Sequence, residues 1–419
     1  MKRLTPVPLV AAILLSVPAL FHSITAAENR PVQPKSGPPA VGPYTPGIDA
    51  GDYLYVSGQG ARRADGTMPS TFAEHVQQAI ENVKAIVEGA GLTLDHIVYT
   101  HVYTTDIERF ADINRVYSKY FPNAPPARAT LGVAKLPANN VVEINAVAVR
   151  NLSNKRSVVM QGHNSSEPAS AGILTHDRLF ISGMRGRELS TGRVPESPAA
   201  QVELALDGMK AVCEAAGLSM AHVVFVNPYL TGKIPANVMN KLYAQRFEFG
   251  NTPGRATIHV ASLPEGAQIE FTGVAVRDLH QRKAVRPKNM RPSATASPCV
   301  FAGDTLYCSA KSGFIPGPNG GIFAATVEHQ LRQTMRNLLD NLEEADMDFS
   351  HVVSTNVYLD DMRDFEAMNK GYAQYFQSVP PTRTTVQQLD ATERKRDGGD
   401  RYPTLEQISL IAIRPAAKK

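Results

Sequence analysis

One six-residue phrase occurs three times in this chain at a domain-sized interval. The copies run Pro125-Pro126-Ala127-Arg128-Ala129-Thr130, Thr252-Pro253-Gly254-Arg255-Ala256-Thr257 and Pro380-Pro381-Thr382-Arg383-Thr384-Thr385, so their arginines stand 127 and 128 residues apart. Solenoid and propeller repeats have periods of roughly 20 to 50 residues. The longer interval divides the 419 residues into three tandem copies of one globular domain, and an apolar content of 43% is enough to give each a core. The expected bounds are 38–151, 157–279 and 284–416, preceded by a proline-rich linker over 28–37.

Residues 1–27 have the form of an export signal. Lys2 and Arg3 are followed by an apolar run over 9–21, then by Thr25 and Ala27 in the minus-three and minus-one positions of a cleavage after Ala27. The alternative, an uncleaved anchor, has against it the shortness of the run and its interruption by Pro18. The expectation is an exported protein, periplasmic or secreted, with no stable membrane anchor once cleaved. Three cysteines are too few for a disulfide framework. Cys299 and Cys308 nevertheless lie symmetrically about Gly303 and Asp304, a two-residue hairpin turn, where paired side chains approach closely enough for a bridge. Cys213 reads as a small buried apolar residue.

The first copy shows the element order most clearly. Strands are expected over 53–57, 97–104, 129–134 and 141–150, with a helix over 73–91 from the spacing of Val76, Ile80, Val83 and Val87, and a shorter one over 107–121. The second and third copies repeat the order, so each unit is α+β, helices layered on a mostly antiparallel or mixed sheet. Pro228 interrupts one strand of the second copy, where it cannot donate to a ladder. The joints at 153–157 and 280–291 are polar and basic and read as solvated linkers. A net charge of +4 and 7% aromatic residues without tryptophan give no ground for expecting nucleic acid. The eleven histidines show no metal-ligand spacing, so each reads as a surface or core residue rather than a metal ligand.

Each repeated arginine could hold a small carboxylate through two parallel hydrogen bonds. Fifteen residues after Arg128 lies Glu143, an acid in the otherwise apolar stretch Val141-Val142-Glu143-Ile144-Asn145-Ala146-Val147-Ala148, and Arg255 has Glu270 at the same interval. Such a glutamate could orient or activate water. The bland alternative is that the two residues of each pair simply neutralise one another.

Gly42-Pro43-Tyr44, Ser57-Gly58-Gln59, Asn114-Arg115-Val116-Tyr117, the phrase ending in Arg128 and the strand around Glu143 together resemble the RidA (YjgF) family of 2-iminobutanoate/2-iminopropanoate deaminases, over residues 38–150. The resemblance implies a chorismate-mutase-like α+β fold, a trimer with ligand clefts between subunits, and so an intramolecular pseudo-trimer here, monomeric as a chain. It implies Arg128 as the carboxylate anchor, Glu143 as the water-positioning acid, Tyr44 as a pocket wall, Ser57 and Gly58 as a backbone cradle, and Asn114 and Thr130 as further cleft residues. The second copy keeps Arg255, Glu270, Ser182, Gly183 and Asn240 but has Ala169 for the tyrosine and Met184 for the glutamine. The third keeps Arg383, Ser309 and Asn369, with Ala296, Lys311 and Gln407 at the tyrosine, glutamine and glutamate places.

On this resemblance the expected reaction is hydrolysis of 2-imino or enamine acids to 2-oxo acids and ammonia, needing neither metal nor organic cofactor, with Arg128 and Glu143 acting together in the first copy, Arg255 and Glu270 in the second, and Arg383 only binding. The alternative is a non-catalytic binding protein for small 2-oxo or amino acid carboxylates. RNA cleavage, known in some relatives, would need a basic patch beside the cleft, whereas the basic runs lie in the joints and in the late insertion over 392–404.

Overall fold

The computed structural model describes residues 29–160, 167–317, 320–399 and 401–414, so the export signal expected over 1–27 lies outside the described residues. The first unit comprises β1 (Arg30–Val32), β2 (Gly47–Ala50), β3 (Tyr53–Gln59), α1 (Phe72–Gly89), β4 (Ile97–Thr104), α2 (Phe110–Tyr120), β5 (Ala127–Gly132) and β6 (Val142–Val149). The second comprises β7 (Arg156–Val158), β8 (Gly172–Leu174), β9 (Arg178–Arg185), α3 (Pro198–Ala215), β10 (Val223–Leu230), α4 (Ala236–Ala244), β11 (Gly254–Arg255), β12 (Ile258–His259) and β13 (Ile269–Val276). The third comprises β14 (Arg282–Val285), β15 (Cys299–Ala302), β16 (Thr305–Ser312), α5 (Val327–Glu343), β17 (Val352–Leu359), α6 (Phe365–Tyr372), β18 (Thr382–Gln387) and β19 (Glu406–Ile413).

Each unit is a mixed sheet carrying two α-helices, and in the first the strand order is β1-β2-β3-β6-β4-β5, with β4 and β5 parallel and the other pairs antiparallel. The long helices start on the same device in all three units: Thr71, Ser197 and Thr326 accept from the backbone N–H three residues on. Under each helix pair lies a separate apolar core, built in the first unit from Val76, Ile80, Val83, Ile113 and Tyr117 against Leu54, Val102 and Ile144.

The opposite faces of the three sheets meet one another. Tyr103, Leu131, Tyr229, Ile258, Tyr307 and Tyr358 belong to one buried cluster drawn from all three units, and a second joins Tyr55 and Tyr99 to Phe180 and Val353. Near this centre His101 Nε2 lies 3.0 Å from the Tyr99 hydroxyl and 2.7 Å from that of Tyr229, and burial pulls its pKa down to about 4. The ring closes within one chain, since the N–H groups of Arg128, Arg255 and Arg383 donate to Ser182, Ser309 and Ser57 respectively.

Three readings from the sequence need correction. Arg30–Val32, Arg156–Val158 and Arg282–Val285, placed in linkers, are edge strands that pair with β2, β8 and β15, each burying one valine: Val32, Val158 or Val285. They are too short and too basic to show a strand pattern, and only the edge they pair with makes them strands. The expected linker over 28–37 is therefore partly sheet, and the third domain begins at Arg282 rather than 284. Pro228 does not interrupt its own strand, since β10 runs unbroken over Val223–Leu230 and pairs with β13 through the proline; the break falls on the parallel neighbour, where the strand corresponding to β5 is split into β11 and β12 and the Asn227 amide donates to the Ala256 carbonyl in the gap. Cys299 and Cys308 pair across the hairpin and are disulfide-bonded. Cys213 is buried and free. No helix among the described residues is long and apolar enough to cross a membrane.

Candidate active sites at the unit junctions

Arg128 and Glu143 do not share a site. Arg128 pairs with Thr100 of β4, and Glu143 pairs with Tyr103 of the same strand. Three residues is an odd offset, so the two side chains leave opposite faces of the sheet. Arg128 turns to the helix side, with its guanidinium over the Tyr117 ring at 4.7 Å and Nη2 donating to Asn114 Oδ1 at 2.6 Å. Glu143 turns to the neighbouring unit. The expected pairing inside one copy is replaced by pairing across junctions, because each arginine lies on an edge strand that docks beside a serine of the next unit, Ser182, Ser309 or Ser57, followed by glycine in the first and last cases and by Ala310 in the other.

The junction between the third and first units assembles the fullest set. The Arg383 N–H donates to Ser57 Oγ at 2.9 Å, and Ser57 in turn donates to the Thr45 carbonyl at 2.7 Å, locking β18 against β3. The Arg383 guanidinium is buried against Tyr44 at 5.6 Å, Phe365 at 5.6 Å and Tyr372 at 5.1 Å, and its Nη1 has no hydrogen-bond partner. Facing it is Glu143, 5% exposed, whose carboxyl burial pushes up to about 8 against the opposing pull of Arg383 and the Thr385 amide. Gly58 leaves room for the carboxyl in this position: a Cβ would lie 2.0 Å from Glu143 Oε1, so any side chain there would displace it. Between these groups is a cavity of about 50 Å³ lined by Tyr44, Gly58, Glu143, Phe365, Arg383 and Thr385. At roughly 10 to 15 Å³ per water it holds about four, the size of a small organic acid.

The junction between the first and second units holds Arg128, Asn114 and Thr130 from one side and Ser182, Gly183 and Glu270 from the other. The Arg128 N–H donates to Ser182 Oγ at 2.8 Å, and a Cβ on Gly183 would lie 2.1 Å from Glu270 Oε1, repeating the pattern. Thr130 is buried with its hydroxyl unpartnered. Here, however, charged side chains fill the space. Arg185 forms ion pairs with Glu167 and, at 2.9 Å, with Glu265, and Arg128 Nη2 lies 3.5 Å from Glu167 Oε2. Burial raises the Glu270 carboxyl to about 7, held back by Arg185, Arg128 and Arg187.

At the third junction the Arg255 N–H donates to Ser309 Oγ at 2.8 Å and its Nη1 to Asn240 Oδ1 at 2.8 Å. Gln407 occupies the glutamate's place and donates to the Thr257 carbonyl at 3.2 Å. Lys311 stands where the first unit has Gln59, and burial pulls its ammonium pKa down. Among the described residues no three His, Cys, Asp or Glu side chains group to hold a metal ion.

Sequence reasoning found the residue types but not their partners, and it missed Thr385, Phe365, Glu167 and Arg185. Aligning the copies on Ser57 and Ser182 would have exposed the last two, which replace Gly42 and Gly60.

The family model described as Endoribonuclease L-PSP matches residues 34–150, 163–277 and 287–393, one match to each unit. Among curated proteins the chain is similar to a RutC family protein of Saccharolobus solfataricus, 42% identical over 116 residues that make up 27% of this chain and 92% of the relative. It is 40% identical to the 2-iminobutanoate/2-iminopropanoate deaminase of Escherichia coli over 126 residues, 29% of this chain and 98% of that protein. Among solved structures, the YjgF gene product of Escherichia coli is 38% identical, covering 29% of this chain and 99% of that one, with a TM-score of 0.29.

Proposed function

The chain belongs to the Endoribonuclease L-PSP family, three times over, and from that membership we propose that it hydrolyses 2-imino acids to 2-oxo acids and ammonia at the junction of its third and first units. One observation carries the reading: a buried carboxyl that titrates near 8 faces a buried guanidinium across a cavity of acid-sized volume. Arg383 anchors the substrate carboxylate, with Tyr44 and Phe365 as walls that keep it from water. Glu143 carries a proton at neutral pH and gives it to the imine nitrogen. Water then adds to the imine carbon as the resulting carboxylate takes a proton from it, forming a carbinolamine. Glu143 next protonates the amine, the carbon–nitrogen bond breaks, ammonia leaves, and the hydroxyl proton returns to the carboxylate. Atoms and charge balance, and Glu143 ends as it began. A carboxyl with a pKa near the working pH suits both directions of transfer.

The test is ammonia release from 2-iminobutanoate, read as the excess over spontaneous hydrolysis. Arg383→Lys should lower it about 10- to 100-fold, since a point charge cannot reproduce a forked contact and each charge-assisted hydrogen bond contributes about 1.5 to 3 kcal/mol. A fully active, folded Arg383→Lys chain would refute the assignment. Recognition of a 2-oxo or amino acid carboxylate without turnover is the reading favoured at the Arg255 junction, where the Gln407 amide has no acidic proton to transfer. We further infer export, which the Cys299–Cys308 disulfide supports alongside the form of residues 1–27.

A further inference from the structure

The three junctions repeat one design, so a difference at equivalent positions bears on what each can hold. Gly42 and Gly60 border Arg383 and Glu143, and the equivalent positions beside Arg128 and Glu270 are Glu167 and Arg185. In the first case the backbone is packed so closely that a Cβ on Gly42 would lie 2.5 Å from Arg383 Nη2 and 3.2 Å from the Asn369 amide. In the second a whole side chain occupies that place, and Glu167 Oε2 comes within 3.5 Å of Arg128 Nη2.

Arg185 pairs across strands with Glu270, as required by the register, and turns its guanidinium onto Glu167. It lies 5.7 Å from the centre of the Phe110 ring, the same distance as Arg128, and both cations approach the Glu167 carboxylate. Arg187 adds a contact to Glu167 at 3.2 Å. What is left is a cavity of about 30 Å³, which at roughly 10 to 15 Å³ per water admits two or three. Arg128 Nη1 and Glu270 Oε1 are both buried without hydrogen-bond partners at this junction.

We propose that Glu167 is a resident ligand: its carboxylate takes the position at Arg128 that a substrate carboxylate would take, Arg185 locks it there, and the junction of the first and second units is thereby closed although it keeps its arginine, asparagine, Ser-Gly step and glutamate. Glu167 and Arg185 thus decide which junctions of the ring can accept an acid. An attached carboxylate acts at an effective concentration of order millimolar or above, so a free acid competes with it poorly.

This inference rests on the reading of the junctions as sites for small carboxylic acids, and the two can fail separately. Titration calorimetry of the full-length chain with 2-oxobutanoate gives the number of sites. The Glu167→Gly, Arg185→Gly double variant should bind one more molecule per chain than the unaltered protein, and adding Arg128→Lys should remove that extra site. A folded double variant with unchanged stoichiometry overturns the proposal. Should the glycine pair fail to fold, Glu167→Ala alone removes the resident carboxylate and empties its place; it too should gain a site, and no gain would overturn the proposal. An unaltered protein that binds no 2-oxobutanoate counts against the proposed function, whereas the gain or absence of a site in the variants still decides this one.

Discussion

A carboxyl group enclosed by protein keeps its proton to higher pH than one in water, because ionisation there lacks a hydration shell. Glu143 is enclosed in this way by Gly58 and the edge of the neighbouring unit, and only Arg383 and one backbone amide favour its charged form. If the protonated acid starts the reaction, kcat/KM toward the neutral imine stays level through neutral pH and falls as pH rises through about 8. Glu143→Gln should lower turnover about 100-fold or more, the range typical of losing a general acid, and should abolish that inflection while 2-oxobutanoate still binds. A pH–rate profile whose fall near 8 survives in the glutamine variant would assign the titration to another group. The same residue shows what single positions conceal. Its type and interval from Arg128 were visible in the chain, but a spacing of fifteen does not say which face of a sheet each side chain leaves.

Strands and helices were the most legible level. The helices expected over 73–91 and 107–121 are α1 and α2 to within a few residues, and the strand expected over 97–104 coincides with β4, because apolar periodicity and turn residues are local signals. Illegible were the features that need a partner: the three short edge strands, which exist only by pairing, and the docking of β5, β11 and β18 on the next unit. The β15–β16 hairpin lay between, its turn readable and its bridge conditional. That bridge belongs to the third unit alone, since Gly47 with Val56 and Gly172 with Ile181 occupy the same cross-strand places in the others. Joining residues nine apart, it should contribute roughly 2 to 4 kcal/mol by restricting the unfolded chain. Thermal melts with and without reductant, with mass spectrometry confirming reduction of the buried pair, should show the third unit melting first once reduced. Identical melts for fully reduced and oxidised protein would mean that the bridge adds nothing to stability.

At the scale of the whole molecule, the inner faces of the three sheets form cores that no unit completes alone. Tyr103 and Leu131 are nearly fully buried, yet their cluster is shared with Tyr229, Ile258, Tyr307 and Tyr358 from the other two units. A patch of this kind exposed on one unit would seek an equivalent surface, and threefold closure is the arrangement already built into the chain. Because the chain supplies all three copies, the closed ring satisfies its own interfaces, and we infer that the intact protein is a monomer. Light scattering should give the mass of one chain. A fragment of residues 29–151, with β1 through β6 intact, should instead associate, and three fragments would meet as β5 of each docks on β3 of the next. Its junctions would then all be Arg128 facing Glu143, with Gly42 and Gly60 in place of the Glu167 and Arg185 that close the Arg128 junction in the full chain. Such a trimer should carry three open sites and bind three 2-oxobutanoate molecules, one per fragment. A fragment that remains monomeric and folded would show that the inner face does not need covering, and a trimer that binds none would show that pairing Arg128 with Glu143 across a junction is not sufficient to make a site.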